Sequence, residues 1–221
     1  MITRALILLN VLAFAWEIVV GGPGMLSLMG SGSGAERIVE LGALAPQDVL
    51  VNHEWWRIVT SAFLHAGLLH IGVNMISLYS LGRFIEMAVG SPRTLLIYLV
   101  SLVASGLGVV YLSSAQSFDV PTLGASGAIF GLFGALFAIG LKLGRPGMRL
   151  VRDNLGILVL NLIITFAVPM ISKQAHVCGL LSGFVLTLLV FSPPRRVAPV
   201  VTDSVTGDHY ETEYQTPEPP R

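Results

Sequence analysis

Charged side chains are scarce in this sequence. Asp, Glu, Lys and Arg together make up 12% of its 221 residues, whereas a soluble globular domain usually contains roughly 25%. Hydrophobic residues make up 53%, and the mean hydropathy is +0.76. The apolar residues are grouped in runs such as 95–112 and 157–171, and a membrane-spanning helix needs roughly 18 or more such residues. This composition excludes an ordinary soluble protein and predicts an all-α protein that crosses a membrane several times.

Cysteine is almost absent as well. Cys178 is the single cysteine, so an intramolecular disulfide is excluded, and its apolar surroundings indicate a small packing residue. The chain has 13 basic and 13 acidic residues, and this balance gives no indication of a nucleic-acid partner. Glycine, in contrast, is abundant, with 24 residues that follow no period of three. Collagen is therefore excluded, and close packing of membrane helices is favoured.

Apolar segments predict a six-helix membrane domain over residues 1–192. They cover about 3–21, 66–85, 94–113, 123–142, 151–170 and 174–192, with the longest connection at about 22–65. Over residues 193–221, prolines and acidic residues replace the apolar runs, which predicts a disordered tail. The first segment can also be interpreted as a secretory signal, but its apolar sequence continues to Val20, beyond the usual signal length.

The basic residues indicate an orientation. If the N-terminus is cytoplasmic, nine basic residues near helix ends face the cytoplasm and three face the other side. The first set is Arg4, Arg83, Arg93, Lys142, Arg145, Arg149, Arg152, Arg195 and Arg196; the second is Arg37, Arg57 and Lys173. The positive-inside rule then predicts that both termini are cytoplasmic. Such a chain fits a multi-pass protein of a bacterial or archaeal plasma membrane.

This topology gathers polar residues in one layer. The second, fourth and sixth helices all begin on the outer side, so their first turns lie at similar depth. Those turns contain His65, His70, Asn74, Ser126 and His176. Polar and ionisable residues are costly within a membrane and by default mark a functional site.

Ser126 and His176 are the candidates for nucleophilic catalysis. A neutral imidazole can remove the proton of a serine hydroxyl and later return it to the leaving group. Since no acidic residue lies near either one in the sequence, we expect a dyad rather than a triad. The alternatives are structural: Ser126 can cap the N-terminus of a helix, and His176 can simply hydrogen-bond to a neighbouring helix.

Two stripes of small residues would bring this pair together. Gly127, Gly131 and Ala135 recur at intervals of four on the fourth helix. On the sixth helix the same spacing separates Ala175, Gly179 and Gly183. Facing stripes of this kind let two helices approach closely enough for a hydrogen bond between the serine and the histidine.

His70 and Asn74 share one helix face, because they are four residues apart. Both side chains can donate hydrogen bonds, so together with the backbone N–H of Ser126 they can stabilise an oxyanion. A competing hypothesis is a zinc site formed by His65, His70 and His176. However, five residues on a helix correspond to about 140°, so His65 and His70 would not share a face.

These residues resemble those of a known family, the rhomboid intramembrane serine proteases. The resemblance covers roughly residues 55–190 and depends on the combination of several short motifs in a fixed order. They are Trp56-Arg57, His65-Ala66-Gly67-Leu68-Leu69-His70 followed by Asn74, Gly82 to Glu86, Gly124-Ala125-Ser126-Gly127, and Ala175-His176 followed by Gly179 and Gly183.

The resemblance implies a six-helix core with Ser126 as nucleophile and His176 as general base. His70, Asn74 and the Ser126 backbone N–H would then form the oxyanion site, with His65 structural or near the substrate entry. Trp56 and Arg57 would brace a first connection lying partly in the outer leaflet, and Glu86 would tie helices together near the cytoplasmic side. The remaining supporting residues would be Gly124, Gly127, Gly179, Gly183 and Phe130.

Two positions depart from the family pattern. Many members have a tyrosine four residues after the nucleophile, where this chain has Phe130, which can stack on a histidine but cannot donate a hydrogen bond. Many also have glycine two residues before the histidine, where this chain has Gln174. Neither change removes a reacting group, but both bear on the geometry of the site and on substrate preference.

We therefore expect an intramembrane serine endopeptidase that cleaves transmembrane segments of membrane proteins near the outer face. Its partners would be transmembrane substrates and the lipid bilayer, without nucleic acid, metal or cofactor; the oligomeric state is open. One alternative is a non-catalytic rhomboid-like protein that binds and routes membrane proteins. Another is a small transporter with a polar cavity, for which the chain lacks a two-fold internal repeat.

Overall fold

The fold is almost entirely helical. A computed structural model describes residues 1–28, 33–168, 171–193, 200–202 and 209–211. The α-helices are α1 (Ile2–Gly21), α2 (Ser33–Gly42), α3 (Pro46–Leu50), α4 (Arg57–Thr60), α5 (Leu68–Val89), α6 (Ser91–Leu112), α7 (Ser126–Lys142), α8 (Arg145–Ala167) and α9 (Lys173–Val190). Short 3-10 helices cover Pro23–Leu26, Ser61–Phe63 and Ala115–Ser117. The predicted all-α membrane architecture is confirmed.

Within the described residues, five helices, α1, α5, α6, α8 and α9, are long and apolar enough to cross a membrane. The remaining long helix, α7, is apolar but has only 17 residues. At about 1.5 Å per residue it is roughly 25 Å long, shorter than a hydrocarbon core of about 30 Å. Six membrane crossings therefore stay a prediction, and α7 is the helix on which that number depends.

The boundaries differ most from the prediction at α8. The apolar pattern predicts a segment at about 151–170, whereas the helix runs from Arg145 to Ala167. Hydropathy does not mark residues 145–150 as part of the segment, because Arg145 and Arg149 lie there. Those residues lower the mean hydropathy without disfavouring a helix, since arginine is a good helix former.

The centre of the bundle is α7, which packs against α5, α6, α8 and α9. At its glycines, α7 contacts α9 directly through backbone atoms. A Cβ atom added to Gly183 would collide with the carbonyl group of Gly131, and one added to Gly179 would collide with that of Gly127. On the adjacent side, Ser101 and Ser105 of α6 lie against Gly131 and Gly127. At these glycine positions there is no room for a side chain between the two helices.

At the other end of the bundle a buried carboxylate joins α1 to α5. The Glu86 carboxylate accepts hydrogen bonds from the backbone N–H of Ile2 at 2.6 Å and from the backbone N–H and hydroxyl of Thr3 at 3.1 and 2.7 Å. It also accepts the Ser91 hydroxyl at 2.5 Å. The two N–H groups belong to the first turn of α1, where no intrahelical acceptor exists. Glu86 therefore caps α1 while fixing its position on α5.

The carboxyl-terminal residues Ser192–Arg221 form a separate unit. Within it, strands β1 (Val200–Thr202) and β2 (His209–Glu211) pair in antiparallel fashion, with Val201 opposite Tyr210. The predicted disorder of residues 193–221 falls largely on positions outside the described residues, and it stays a prediction.

The glycine contact between α7 and α9 can be tested by substitution. Gly183→Ala should destabilise the bundle by about 1–3 kcal/mol, because the new methyl group must displace the α7 backbone. Gly156→Ala in α8 is the matched control. Among the described residues, no atom beyond its own helix backbone lies within 4 Å of the position that a Cβ would take there. The free energy of unfolding of this variant should therefore rise by about 0.5–1 kcal/mol, because alanine has the higher helix propensity. Thermal unfolding in detergent micelles measures both, and equal stability of the two variants would contradict the packing argument.

Candidate active site

Ser126 and His176 lie in direct hydrogen-bond contact. The Ser126 Oγ is 2.8 Å from the His176 Nε2, although the residues are 50 positions apart in the chain. Ser126 is the first residue of α7, and His176 lies in the first turn of α9. The glycine contact between these helices sets the separation of their first turns. This is the geometry that proton transfer from a serine to a histidine requires.

The imidazole of His176 is held on one face by an aromatic ring. The Phe130 ring stacks on it with centroids 4.1 Å apart and an interplanar angle of 13°. Both side chains are buried, with exposed fractions of 4% and 7%. Phe130 follows Ser126 by one turn of α7, so the same helix presents the hydroxyl and the stacking ring. The absence of a phenolic hydroxyl at this position leaves the stacking itself intact.

The second nitrogen of His176 contacts Thr165, a residue that the sequence motifs do not predict. The Thr165 Oγ1 of α8 lies 2.7 Å from the His176 Nδ1 and 2.7 Å from the backbone oxygen of Asn161. A signal for it existed in the sequence, because Asn161 and Thr165 form a polar pair four residues apart within an apolar segment.

The side chains of His70 and Asn74 lie beside Gly124, two residues before Ser126. A Cβ on Gly124 would lie 2.7 Å from the His70 Nε2 and 3.8 Å from the Asn74 Nδ2. Gly124 also has a φ of +116°, which strongly favours glycine. Position 124 therefore requires a residue without a side chain, because the His70 imidazole occupies the space beside it.

The hydrogen bonds of His70 indicate its tautomer. Its Nδ1 accepts the backbone N–H of Ala66 at 3.2 Å, so the proton of the neutral ring is on Nε2, the nitrogen next to Gly124. The Asn74 amide donates to the His70 backbone oxygen at 3.0 Å. Since that bond uses one of two amide hydrogens, Asn74 retains a second donor.

His65 does not lie in the first turn of α5, contrary to the sequence prediction. That helix begins at Leu68, and Gly67, with a φ of +92°, separates it from His65. His65 is fully buried, its ring centroid is 5.1 Å from that of His70, and its backbone N–H donates to the Glu17 carboxylate at 3.1 and 3.2 Å. Among the described residues, no three His, Cys, Asp or Glu side chains are placed to hold a metal ion.

Glu17 is a further residue near the site that the sequence motifs do not predict. It is a buried acid in α1 and anchors the connection to α5 through its bonds to His65. A single carboxylate in the first apolar segment was the available signal, since a buried charge in a membrane helix calls for a partner.

Arg57 organises the connection between α1 and α5. Its guanidinium donates to the backbone oxygens of Ala43 at 2.8 Å and Glu40 at 2.7 Å, and it is paired with Glu54 and, at 3.8 Å, with Asp48. The two carbonyls lie at the C-terminal end of α2, where intrahelical donors are missing. The neighbouring Trp56 ring lies 4.8 Å from the guanidinium carbon and is itself half exposed.

This connection in turn holds the segment that precedes Ser126. Leu44 and Thr122 exchange two backbone hydrogen bonds of 2.8 Å. The Gly124 N–H donates to the Ser61 oxygen, also at 2.8 Å. Arg57 and the site are thus linked through backbone hydrogen bonds.

Together, the fold and the site describe a helical membrane protein with a polar site built around a serine and a histidine. The chain belongs to the rhomboid family: the model of the Rhomboid domain matches residues 52–193.

Curated relatives support this membership. The chain is 35% identical over 161 residues to the rhomboid protease GluP of Bacillus subtilis (strain 168), covering 72% of this chain and 31% of GluP. It is 33% identical to the putative rhomboid protease YdcA of the same strain, covering 66% of this chain and 73% of YdcA. It is 32% identical to the inactive RHOMBOID-like protein 8 of Arabidopsis thaliana, covering 76% of this chain and 48% of that protein. The chain thus spans about a third of GluP, and the family includes both proteases and an inactive member.

The role of Arg57 predicts a local effect of its substitution. Arg57→Lys should speed amide hydrogen exchange at Leu44 and Thr122 about tenfold, because one ammonium cannot replace the forked donor set and about 1–2 kcal/mol of local stability is lost. Arg37→Lys serves as control, since Arg37 is exposed on α2. Unchanged exchange in Arg57→Lys, measured by mass spectrometry, would show that the guanidinium does not hold this connection.

Proposed function

We propose that this protein is an intramembrane serine endopeptidase that cleaves transmembrane segments of other membrane proteins through a Ser126–His176 dyad. The observation that carries the proposal is the 2.8 Å contact between the Ser126 Oγ and the His176 Nε2 in a membrane-type helical bundle. In water a serine hydroxyl is a weak nucleophile, and an adjacent base is what activates it.

The reaction would proceed in two stages. His176 takes the Ser126 proton on Nε2 as Oγ attacks the substrate carbonyl, and the carbonyl electron pair moves to its oxygen. The tetrahedral intermediate collapses to an acyl-enzyme as the imidazolium returns the proton to the leaving amine. Water activated by the same nitrogen then hydrolyses the ester. These steps use only the side chains and backbone of this chain and water.

His70, Asn74 and the Ser126 backbone N–H would bind the oxyanion. Three features support these roles: the His70 Nε2 carries a proton, the Asn74 amide retains a donor, and both lie against Gly124, two residues before Ser126. The first N–H groups of α7 have no intrahelical acceptor, and the positive end of the helix dipole adds to the field. Donors fixed before the reaction stabilise the developing charge without reorganising.

The short length of α7 bears on where cleavage occurs. A helix roughly 25 Å long does not reach both faces of a hydrocarbon core of about 30 Å. Ser126 would then lie below the membrane surface, with water reaching it from the nearer side. By the positive-inside rule this is the outer side of a plasma membrane, with both termini cytoplasmic. Substrate helices must unwind to expose a peptide carbonyl, so small or helix-weakening residues are expected near the scissile bond.

A second candidate function is binding and routing of membrane proteins without catalysis. The relative named as inactive, at 32% identity, is the observation that favours it. The presence of both Ser126 and His176 in hydrogen-bond geometry supports the protease instead.

The dyad can be tested without knowledge of the natural substrate. Purified protein in detergent should cleave a model transmembrane substrate and react with a fluorophosphonate at Ser126. Ser126→Ala and His176→Ala should each lower cleavage about 10⁴-fold or more, because the two side chains act as a unit.

Two matched substitutions serve as controls. Ser182→Ala removes a hydroxyl of α9 that donates to the Gly179 oxygen, and His53→Ala removes an exposed imidazole. Both should behave as the parent protein. Cleavage that survives in Ser126→Ala or His176→Ala would contradict the dyad; a parent that binds substrates but neither cleaves them nor reacts with the fluorophosphonate would favour the routing function.

A further inference from the structure

Thr165 occupies an unusual position on α8. Most of that helix faces outward, but Thr165 is only 1% exposed. Its hydroxyl oxygen lies 2.7 Å from both the His176 Nδ1 and the Asn161 backbone oxygen. The side chain therefore joins the imidazole on one side to a carbonyl on the other.

The number of available protons indicates which tautomer this arrangement favours. With the proton of His176 on Nδ1, three hydrogen bonds form in one direction: Ser126 hydroxyl to Nε2, Nδ1 to the Thr165 oxygen, and Thr165 hydroxyl to the Asn161 oxygen. All three contacts are 2.7 or 2.8 Å. With the proton on Nε2, the Thr165 hydroxyl must turn to Nδ1, and its contact with the Asn161 oxygen has no hydrogen. Since the Thr165 hydroxyl is buried, the first arrangement satisfies more of the polar groups.

We propose that Thr165 is a positioning residue that holds His176 in the Nδ1-protonated tautomer, the form whose Nε2 can accept the serine proton. This inference rests on the proposed function. In a Ser-His-Asp triad a carboxylate performs this orientation; here a neutral hydroxyl, polarised by a helix carbonyl, takes that place. Unlike a carboxylate it adds no charge to a site within the membrane, where a buried charge is costly.

The same contact also operates during the reaction. When His176 takes the Ser126 proton on Nε2, its Nδ1–H becomes a charged donor, and the Thr165 oxygen remains its acceptor. Thr165 keeps its own proton on the bond to Asn161 throughout. Hydrogen bonds to charged groups are worth more than neutral ones, so loss of this acceptor should lower kcat by about 10- to 100-fold.

Two variants distinguish the effect of the Thr165 hydroxyl from that of the rest of its side chain. Thr165→Val keeps the shape and removes the hydroxyl, whereas Thr165→Ser keeps the hydroxyl and removes a methyl group. Thr187→Val is a matched control, because Thr187 is also fully buried, lies on α9, and its hydroxyl has no hydrogen-bond partner among the described residues.

The first readout is kinetic. Thr165→Val should lower kcat and the rate of fluorophosphonate labelling about 10- to 100-fold with KM changed little, while Thr165→Ser and Thr187→Val stay within about threefold of the parent. Labelling rates of Thr165→Val equal to those of Thr187→Val would overturn the inference while leaving the dyad in place. Equal losses in Thr165→Val and Thr165→Ser would also overturn it, because they would trace the effect to packing.

The second readout does not require activity. Nitrogen-15 NMR of labelled histidine in micelles distinguishes the tautomers of His176, whose signals are assigned by their loss in His176→Ala. The parent and Thr165→Ser should show protonated Nδ1, and Thr165→Val should show a mixture. The same tautomer in the parent and in Thr165→Val would overturn the inference even if the protein cleaves nothing. A different result contradicts the proposed function: a parent protein that neither cleaves the substrate nor reacts with the fluorophosphonate.

Discussion

The close backbone contact between α7 and α9 is the constraint on which the site depends. Glycines occupy both sides of the contact, and a methyl group on Gly179 or Gly183 would meet the carbonyl groups of Gly127 and Gly131. Membrane helices gain little from hydrophobic association, since lipid tails are as apolar as their side chains. Van der Waals contact between backbones thus sets the separation of the two helices. The 2.8 Å distance from the Ser126 Oγ to the His176 Nε2 follows from it.

Elsewhere in the bundle, several buried polar side chains link segments that are separate in the chain. Glu86 joins α1 to α5, Glu17 joins α1 to His65, and Arg57 joins α2 to α4. Unpaired polar groups are expensive in a low-dielectric interior. Satisfying them with backbone donors and carbonyls therefore fixes positions as well as stabilising the fold. Thr165 follows the same rule, and its link ends at the imidazole of the site.

Much of the architecture was accessible from the sequence. Long apolar runs predicted membrane helices, and the four-residue spacing of small residues predicted which two helices approach each other. The alternation of helix direction predicted that Ser126 and His176 lie at one depth. The prediction is wrong for His65, where the local pattern carries little information. The apolar pattern predicts His65 in the first turn of a helix that begins only at Leu68, because hydropathy does not detect the positive φ of Gly67.

Thr165 and Glu17 show why the rest was not accessible. Both were visible as polar residues in apolar runs, yet a sequence does not say which of several inward-facing groups a given side chain meets. The sequence by itself determined the helical membrane class, the family and the polar residues available for chemistry, because these depend on composition and local spacing. Only the tertiary structure decided that the His176 Nδ1 meets a threonine of α8 and that Gly124 lies against His70. The physical reason is that such contacts depend on ångström-scale helix separation and rotation, which backbone packing sets across the whole bundle.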